Sequence, residues 1–427
     1  MTDDEDDARE VTATGDALGA AASVDVVVIG AGAAGLMAAL SSGRTGGRTV
    51  LVEGARQCGL KILVSGGGRC NVLPVECDEH DFHTQGSRHV LRRWLRTWPL
   101  AAVRDFFAQD LGVALVEEVG TGKLFPATQD AHTVRDALVE ACRRARVEIR
   151  NDWRVTAVER VDGGYRVVSA STGATLHAAC VVLATGGLSL PRTGSDGVGY
   201  TFAKALGHGL TTTYPALVPL ATDDADWKEL AGITLPVRWR ARVAGEIRES
   251  RVRELLVTHR GFSGPAILDA SHWQVRDGAR IEVSWGDIAA EEWLTRLAKN
   301  GRATVVSLLA ESLPRRLARL IALRAGIAET QVLSGLTRDD RQRLLAKLTH
   351  FELPIARDLG YRVAEVTGGG VPIAEVEPST LASRASRGLY LCGEILDVTG
   401  RLGGYNFLWA WISGRLAGES AAHASRK

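Results

Sequence analysis

The feature that most constrains the fold is a strand, a glycine turn, a helix and a second strand near the start of the chain. Val24 to Ile29 is a β-branched run of the kind that forms a buried parallel strand. It is followed by Gly30-Ala31-Gly32-Ala33-Ala34-Gly35, by an Ala- and Leu-rich helical stretch, and by a second apolar run that ends in Glu53. This order predicts the first βαβ unit of a dinucleotide-binding domain.

Each residue of this fingerprint has a physical role. Gly30 permits the tight turn, Gly32 lets backbone amides approach a pyrophosphate, and Gly35 lets the helix pack closely on the sheet. Glu53, 23 residues after Gly30, is placed to accept hydrogen bonds from the adenosine ribose and disfavours a 2′-phosphate. The segment therefore predicts FAD or NAD rather than NADP, with a ligand-free tight turn as the alternative.

No second complete fingerprint occurs in the sequence. Ala184-Thr185-Gly186-Gly187 closes another strand but lacks the spacing of a full site, so a separate nicotinamide Rossmann domain is not expected.

The six cysteines include no CxxC pair and no zinc-type spacing, which excludes a dithiol flavoprotein of the thioredoxin-reductase type and predicts reduced thiols without a metal site.

Three other glycine-rich segments could contact the cofactor. Ser65 to Asn71, with the sequence SGGGRCN, offers consecutive backbone amides and the cation of Arg69 as an anion-binding nest, and its Cys70 either faces a flavin or packs internally. Gly393 to Asp397 places Glu394 and Asp397 after a strand, where ribityl hydroxyls need acceptors. Gly403-Gly404-Tyr405-Asn406 opens the last helix, whose positive end would stabilise a reduced flavin; a glycine-rich start with an Asn cap explains it equally well.

The dinucleotide domain is predicted to be split by an insertion. After Pro191 the sequence alternates strictly, as in Val237 to Val243, and Ile288 to His350 has helical spacing. The fold class is α/β, a split Rossmann-like FAD-binding domain with an inserted antiparallel β-barrel module and a small helical subdomain. The predicted divisions are a disordered acidic tail at 1–22, the FAD domain at 23–192 and 365–427, a β-barrel insert at 193–287, a helical insert at 288–350 and a return segment at 351–364.

Composition narrows the possible partners. The 51 basic and 50 acidic residues leave a net charge of +1, so no overall field attracts nucleic acid or an anionic membrane. No segment reaches the ~20 apolar residues of a membrane span, and no secretory signal is present. These features predict a cytoplasmic protein with a small-molecule substrate and with neither nucleic acid nor membrane as partner.

Together the glycine segments resemble a known family. SGGGRCN, Thr193 to Gly197 after ATGG, GFSGP from Gly261, VTGGG from Val366 and GEILDVTGRLGGYN from Gly393 resemble the BaiN-type, aminoacetone-oxidase-like bacterial FAD-dependent oxidoreductases. The resemblance runs from about residue 24 to 417 and implies the split domain, FAD as cofactor and NAD(P)H as candidate donor, with the substrate left open. One departure is Leu408, where the family pattern usually carries Gln.

The residues predicted to bind FAD come from all of these segments. They are Gly30, Ala31, Gly32, Ala33, Gly35, Glu53, Gly54, Ser65, Gly66, Gly67, Arg69, Cys70, Asn71, Val155, Thr185, Gly186, Gly187, Gly393, Glu394, Asp397, Gly404, Tyr405 and Asn406. The catalytic residue is left open, with His259 and Tyr405 as candidates for proton delivery.

The leading hypothesis is an FAD-dependent oxidoreductase that transfers hydride or electrons between a reduced donor and a small-molecule substrate. One alternative is a flavin-dependent enzyme that modifies nucleic acid, favoured if the arginines between Arg315 and Arg343 form one basic face. The other is a non-catalytic, FAD-bound regulator.

Overall fold

The computed structural model describes residues 23–170, 173–243, 245–249, 251–298 and 301–426. The predicted acidic tail, residues 1–22, lies outside the described residues. The strands are β1 Ser23–Ile29, β2 Thr49–Val52, β3 Leu73–Pro74, β4 Phe82–His83, β5 Leu115–Glu118, β6 Lys123–Pro126, β7 Glu148–Arg150, β8 Val155–Val161, β9 Gly164–Ser169, β10 Thr175–Leu183, β11 Tyr214–Ala216, β12 Leu220–Ala221, β13 Thr234–Val243, β14 Glu246–Glu249, β15 Arg253–Thr258, β16 Gly261–Ser263, β17 Ile281–Trp285, β18 Phe351–Glu352, β19 Arg357–Asp358, β20 Val366–Gly368, β21 Leu389–Leu391 and β22 Thr399–Gly400. The helices are α1 Ala33–Arg44, α2 Leu60–Val64, α3 Arg88–Thr97, α4 Leu100–Asp105, α5 Ala131–Arg144, α6 Val198–Ala205, α7 Ala225–Lys228, α8 Pro265–Asp277, α9 Ala290–Leu297, α10 Val305–Leu309, α11 Arg315–Arg324, α12 Arg338–Thr349 and α13 Tyr405–Ala424.

The central sheet is the parallel sheet that the glycine fingerprint predicts. Strands β7, β2, β1 and β10 lie side by side, β21 runs parallel along the far edge of β10, and β9 and β8 extend the sheet in antiparallel fashion. Val26, Val27 and Val28 are fully buried, because helices cover both faces of such a sheet. The α/β class is therefore confirmed, and the chain from β21 onward completes the sheet that the first part begins.

Helices α1 and α13 pack against each other without intervening side chains. A Cβ atom on Gly414 would lie 2.4 Å from the carbonyl oxygen of Ala34, and one on Gly418 would lie 2.1 Å from that of Ala38. These contacts require glycine, since real Cβ atoms do not approach a carbonyl oxygen so closely. The packing places the middle of α13 beside the start of α1, so the N-terminus of α13 lies beyond the glycine turn that follows β1.

The inserted module contains an antiparallel sheet with the strand order β18, β17, β13, β15, β16, β12 and β19, and β14 also pairs with β13. The prediction specified a barrel, but among the described residues no pairing joins β18 to β19. The sequence pattern also missed helix α8, which begins at Pro265 and packs on β13 and β15. Among the described residues of the predicted helical insert, 288–350, the structure has four α-helices, α9 to α12.

The described residues form two main hydrophobic cores. One is built from residues before 211 and after 370, and the other from residues 218 to 364. Helix α6 contributes Phe202 to the first core, so we propose that the insertion begins near Tyr214 rather than at residue 193. Within the described part of the chain, no helix is both long and apolar enough to cross a membrane.

Candidate functional site

A long cleft crosses the carboxyl edge of the parallel sheet. It is lined by the turn after β1, the end of β2, the loop 65–71, the end of β10, the residues before β20 and the start of α13. In open α/β sheets, ligands bind at this edge, where the loops diverge. One end of the cleft lies at Glu53 and the other at Gly404.

The three glycines of the turn occupy three different environments. Gly30 has φ of +96°, and a Cβ atom there would lie 2.7 Å from the carbonyl oxygen of Ala184. A Cβ atom on Gly35 would lie 1.8 Å from the carbonyl oxygen of Gly30. On Gly32, which lines the cleft, a Cβ atom would meet no atom within 4 Å. Only Gly32 therefore keeps open a space inside the cleft.

Glu53 closes one end of the cleft with both carboxylate oxygens hydrogen-bonded. Oε2 accepts from the backbone amide of Ala31 at 2.8 Å, and Oε1 accepts from that of Ala55 at 2.9 Å. Burial raises the pKa of this carboxyl, while these amides act in the opposite direction. Glu53 thus fixes the glycine turn through its hydrogen bond with the amide of Ala31. Because it also lines the cleft, it can accept a hydrogen bond from a ribose hydroxyl. Gly54 and Val155 line the same end.

The loop 65–71 contributes backbone to the cleft rather than a cation. Gly66 and Gly67 lie in the left-handed region, with φ of +55° and +69°, and line the cleft together with Ser65 and Asn71. The side chain of Arg69 does not point into the cleft as predicted, because its Nη1 donates to Glu118 Oε1 at 2.8 Å.

Of the two placements that the sequence allows for Cys70 in the same loop, the structure shows the internal one. Its thiol is fully buried behind the cleft wall, and burial raises its pKa to about 12. This supports the packing interpretation of Cys70.

Glu394 belongs to a network of hydrogen bonds that the sequence pattern did not predict. Lys61 Nζ donates to Glu394 Oε2 and to Ser189 Oγ, both at 2.6 Å. Glu394 Oε1 accepts from Ser189 Oγ and from the backbone amide of Thr367, both at 2.9 Å. Lys61 and Glu394 both line the cleft, so the network forms its polar middle wall. No motif pointed to Lys61, which lies in the short helix α2.

The start of α13 differs from the prediction in its side-chain contacts. Gly404 is the N-cap and lines the cleft. Asn406 also lines the cleft, but its Nδ2 donates to the carbonyl oxygen of Gly400 at 2.9 Å and its Oδ1 accepts from the amide of Gly400 at 2.8 Å. Asn406 therefore fastens the loop before α13 and is not the predicted helix cap, while its contact with a flavin stays a prediction. Leu408, at the position of the family Gln, is buried.

Other predicted residues lie behind the cleft wall. Tyr405 packs edge-on against Phe82, and burial raises its pKa to about 12. Asp397 is buried and accepts from the amide of Gln85 at 2.8 Å. Gly35, Gly187 and Gly393 likewise provide close packing instead of cleft surface. His259 is exposed in the turn between β15 and β16, so neither candidate for proton delivery lines the cleft.

The cleft end near Gly404 carries charged side chains. Glu365 and Arg401 line it. Arg401 Nη1 donates to Asp81 at 2.9 Å, and its Nε lies 3.9 Å from the fully buried carboxylate of Asp269. Lys123, on β6, packs over Gly403, where a Cβ atom would lie 3.6 Å from its Cγ. Acids and cations from both the FAD domain and the insertion meet here.

Two buried hydroxyls along the cleft have no hydrogen-bond partner among the described residues. They are Thr185 Oγ1 and Ser195 Oγ, and both residues line the cleft. A buried polar group without a partner costs about 1–3 kcal/mol, so such atoms indicate a bound polar ligand. With the open space at Gly32 and the acceptor at Glu53, the residues present fit a dinucleotide cofactor.

A second hydrogen-bonded set, Ser383, His208 and Glu375, has the arrangement of a hydrolase triad but lies elsewhere. His208 Nε2 is 2.7 Å from Ser383 Oγ, and its Nδ1 is 2.8 Å from Glu375 Oε2. However, Ser383 Oγ also accepts from the amide of Ser386, and the His208 side chain is fully buried. This set joins two loops and does not form a second active site.

Comparisons with known proteins agree with this interpretation of the cleft. Residues 24–420 match the family described as HI0933-like protein Rossmann domain. A ribosomal RNA dihydrouridine synthase of Escherichia coli is 34% identical over 91% of this chain and 96% of its own. A 3-dehydro-bile acid delta(4,6)-reductase of Clostridium scindens is 31% identical over 92% of this chain and 98% of its own, which confirms the BaiN-type resemblance.

Among solved structures, a quinol-fumarate reductase with menaquinol molecules superposes with a TM-score of 0.51. The match has 16% identity and covers 95% of this chain and 72% of that chain. At this identity the likeness concerns the fold alone.

Proposed function

The chain belongs to the HI0933-like family of Rossmann flavoprotein oxidoreductases, and we propose that it reduces a carbon–carbon double bond conjugated to a carbonyl group. FAD is the cofactor, and NAD(P)H is the proposed donor. The proposal refines the oxidoreductase class to one type of acceptor.

The names of the two relatives support this type of acceptor. Forming dihydrouridine saturates the double bond of a uracil ring, which is conjugated to a ring carbonyl. A delta(4,6)-reductase acting on a 3-dehydro-bile acid saturates double bonds conjugated to a 3-oxo group. The two substrates differ in size and polarity but share a polarised double bond, so this shared chemistry is what we carry over to the present chain.

The observation that carries the proposal is the charged end of the cleft beside the start of α13. Reduction of a conjugated double bond places negative charge on the carbonyl oxygen in the transition state. Arg401, which is paired with Asp81, lines this end, and Lys123 packs on Gly403 at the helix N-terminus, so two cationic donors stand beside the place where we propose that this oxygen develops charge.

The cofactor would be held along the cleft in one orientation. Glu53 would accept from the adenosine ribose, the open space at Gly32 would receive the pyrophosphate, and Glu394 with Lys61 would face the ribityl chain. The ring system would then reach the end at Gly404. When bound, FAD supplies a hydride acceptor and donor, and the residues around it position the substrate and exclude water.

A uridine within RNA is the first acceptor to test, since two relatives that share 34% and 32% of their residues with this chain are named for it. Acidic partners reduce the positive charge that the helical insert could offer to such a substrate. Its Arg319 pairs with Glu329, and Arg324 pairs with Asp224 and Asp226. We therefore propose that any RNA contact lies at the rim of the cleft.

The experiment supplies the purified holoprotein with NADH or NADPH under anaerobic conditions and offers two acceptors separately. These are a uridine-containing fragment of ribosomal RNA and 4-androstene-3,17-dione. The proposal expects one of them to gain two hydrogens, as measured by mass spectrometry. Flavin that is reduced by the donor without reducing either acceptor would contradict it, and flavin that no donor reduces would favour the regulator.

A further inference from the structure

Glu365 is a carboxylic acid that the cofactor fingerprint does not use. It immediately precedes β20 and lines the end of the cleft near Gly404. Its backbone is fixed on both sides, because its amide donates to the carbonyl oxygen of Leu217 at 3.2 Å and its carbonyl oxygen accepts from Ser189 Oγ at 3.2 Å. The side chain is exposed to the cleft, and none of the described residues forms a hydrogen bond or ion pair with its carboxyl group.

The other carboxyl groups nearby are already occupied. Glu394 is bonded to Lys61 and Ser189, Asp397 accepts from the amide of Gln85, and Asp269 accepts from the amide of Leu402 at 2.8 Å. A carboxyl group bonded in this way is engaged by its protein partners and is less available to contact a ligand. Glu365 alone among these four is both unpaired and open to the cleft.

The protein around Glu365 favours its neutral form. The surrounding walls of the cleft desolvate it and so raise its pKa, and the nearby carboxyl of Asp269 acts in the same direction. Lys123 from β6 and Lys61 from α2 oppose this effect. Desolvation is the largest of these influences.

We propose that Glu365 is the catalytic proton donor, and this inference rests on the proposed function. A hydride added to the β carbon of the conjugated acceptor breaks its double bond and leaves an enolate. The Glu365 carboxyl then transfers its proton to the α carbon, so that one hydride and one proton give the saturated product. The resulting carboxylate regains a proton from solvent, and the electron pair comes from NAD(P)H through the cofactor.

The first test does not depend on turnover. Infrared difference spectra of the holoprotein at neutral pH, recorded between oxidised and dithionite-reduced states, should contain a protonated-carboxyl band that shifts in D2O. Glu365→Gln should lose this band. The matched control Glu377→Gln should keep it, because Glu377 is a surface residue paired with Arg384. A wild-type protein without the band, or a Glu365→Gln variant that retains it, would overturn the assignment.

The second test separates the two half-reactions. Glu365→Gln should be reduced by NAD(P)H at the wild-type rate but should reduce the acceptor about 10²–10⁴-fold more slowly, which is the usual contribution of a general acid. Glu365→Asp should recover part of the rate. The wild-type rate with acceptor should fall as pH rises through the pKa of Glu365, and the Glu365→Gln rate should not. Equal acceptor rates in wild type and Glu365→Gln would refute the role of Glu365 and leave the proposed function intact. Failure of the wild type to reduce any acceptor would refute the proposed function. In that case the infrared band would still show whether Glu365 is protonated.

Discussion

Replacing Gly32 by Val should remove FAD binding while leaving the fold in place. The structure supports both parts of this prediction. A Cβ atom at Gly32 would meet no protein atom within 4 Å, and the residue has φ of −74°, which any amino acid adopts. The new side chain would instead project into the space assigned to the pyrophosphate. If it displaces two charge-assisted hydrogen bonds worth ~1.5–3 kcal/mol each, the Kd for FAD rises about 10²–10⁴-fold.

The cost to stability should be small. Gly32 is the N-cap of α1, where an apolar residue loses up to about 1 kcal/mol relative to glycine, partly offset by the reduced freedom of the unfolded chain. In a chain of this size, that corresponds to a Tm change below ~4 °C for the apoprotein. Gly35→Ala is the matched control, because its Cβ atom would lie 1.8 Å from the carbonyl oxygen of Gly30 and should destabilise the fold itself.

The assay is titration of apoprotein with FAD, followed by quenching of flavin fluorescence, together with thermal unfolding of each apoprotein. A Gly32→Val variant that binds FAD with the wild-type Kd would refute the placement of the pyrophosphate. A variant that loses FAD only because its apoprotein no longer folds would refute the claim that the cleft is open at this position.

Three further predictions concern Glu53, Asn406 and a histidine outside the cleft. Glu53→Ala should raise the Kd for FAD at least about tenfold, because the carboxylate that accepts hydrogen bonds from the ribose is lost. Equilibrium dialysis measures this Kd. An unchanged Kd would contradict the proposed contact between Glu53 and the ribose. Asn406→Leu should lower the free energy of unfolding by about 1–3 kcal/mol, because two hydrogen bonds to Gly400 are lost, and should leave the flavin reduction potential unchanged. Denaturant unfolding measures the stability and a redox titration measures the potential. A shifted potential with unchanged stability would contradict the role of Asn406 in holding the loop. His83, the second residue of β4, does not line the cleft and stacks on His272. Burial lowers the pKa of His83 to about 3, so the unfolded state binds an extra proton and the free energy of unfolding should fall as pH drops below about 6.5, by at most ~1.4 kcal/mol per pH unit for this group. His83→Gln should reduce that slope in urea unfolding and leave the part due to His272, whose pKa burial also lowers; an unchanged slope would contradict the lowered pKa of His83.

The parallel sheet and its glycine turn could be predicted because local chemistry determines both. A β-branched run buried on both faces and a turn with Gly30 at positive φ are properties of neighbouring residues, so the pattern alone indicates them. Asp162-Gly163-Gly164, between β8 and β9, is likewise a local hairpin signal, and the two strands pair across it. Helix α8 was missed because alternating strands on either side dominated the pattern, although Pro265 at its first turn was an available signal.

The side-chain directions could not be predicted, because they depend on partners distant in sequence. Arg69 turns to Glu118, and Lys61 reaches Glu394, which is 333 positions away. Leu91 to Gln109 has one helical period, yet the structure breaks it at Pro99 into α3 and α4. Glu365 carried no motif of its own beyond its position just before VTGGG. Its relevance emerges only when the cleft brings it beside the start of α13.

One anaerobic turnover shows whether FAD bound in this cleft reduces a conjugated double bond. Holoprotein is reduced to completion with one equivalent of NAD(P)H, freed of excess donor, and mixed with the acceptor that the mass-spectrometric assay identifies. The flavin absorbance should return, and each flavin oxidised should yield one saturated product molecule. Flavin that remains reduced until oxygen is admitted, with no saturated product formed, would contradict the proposed reduction of the double bond.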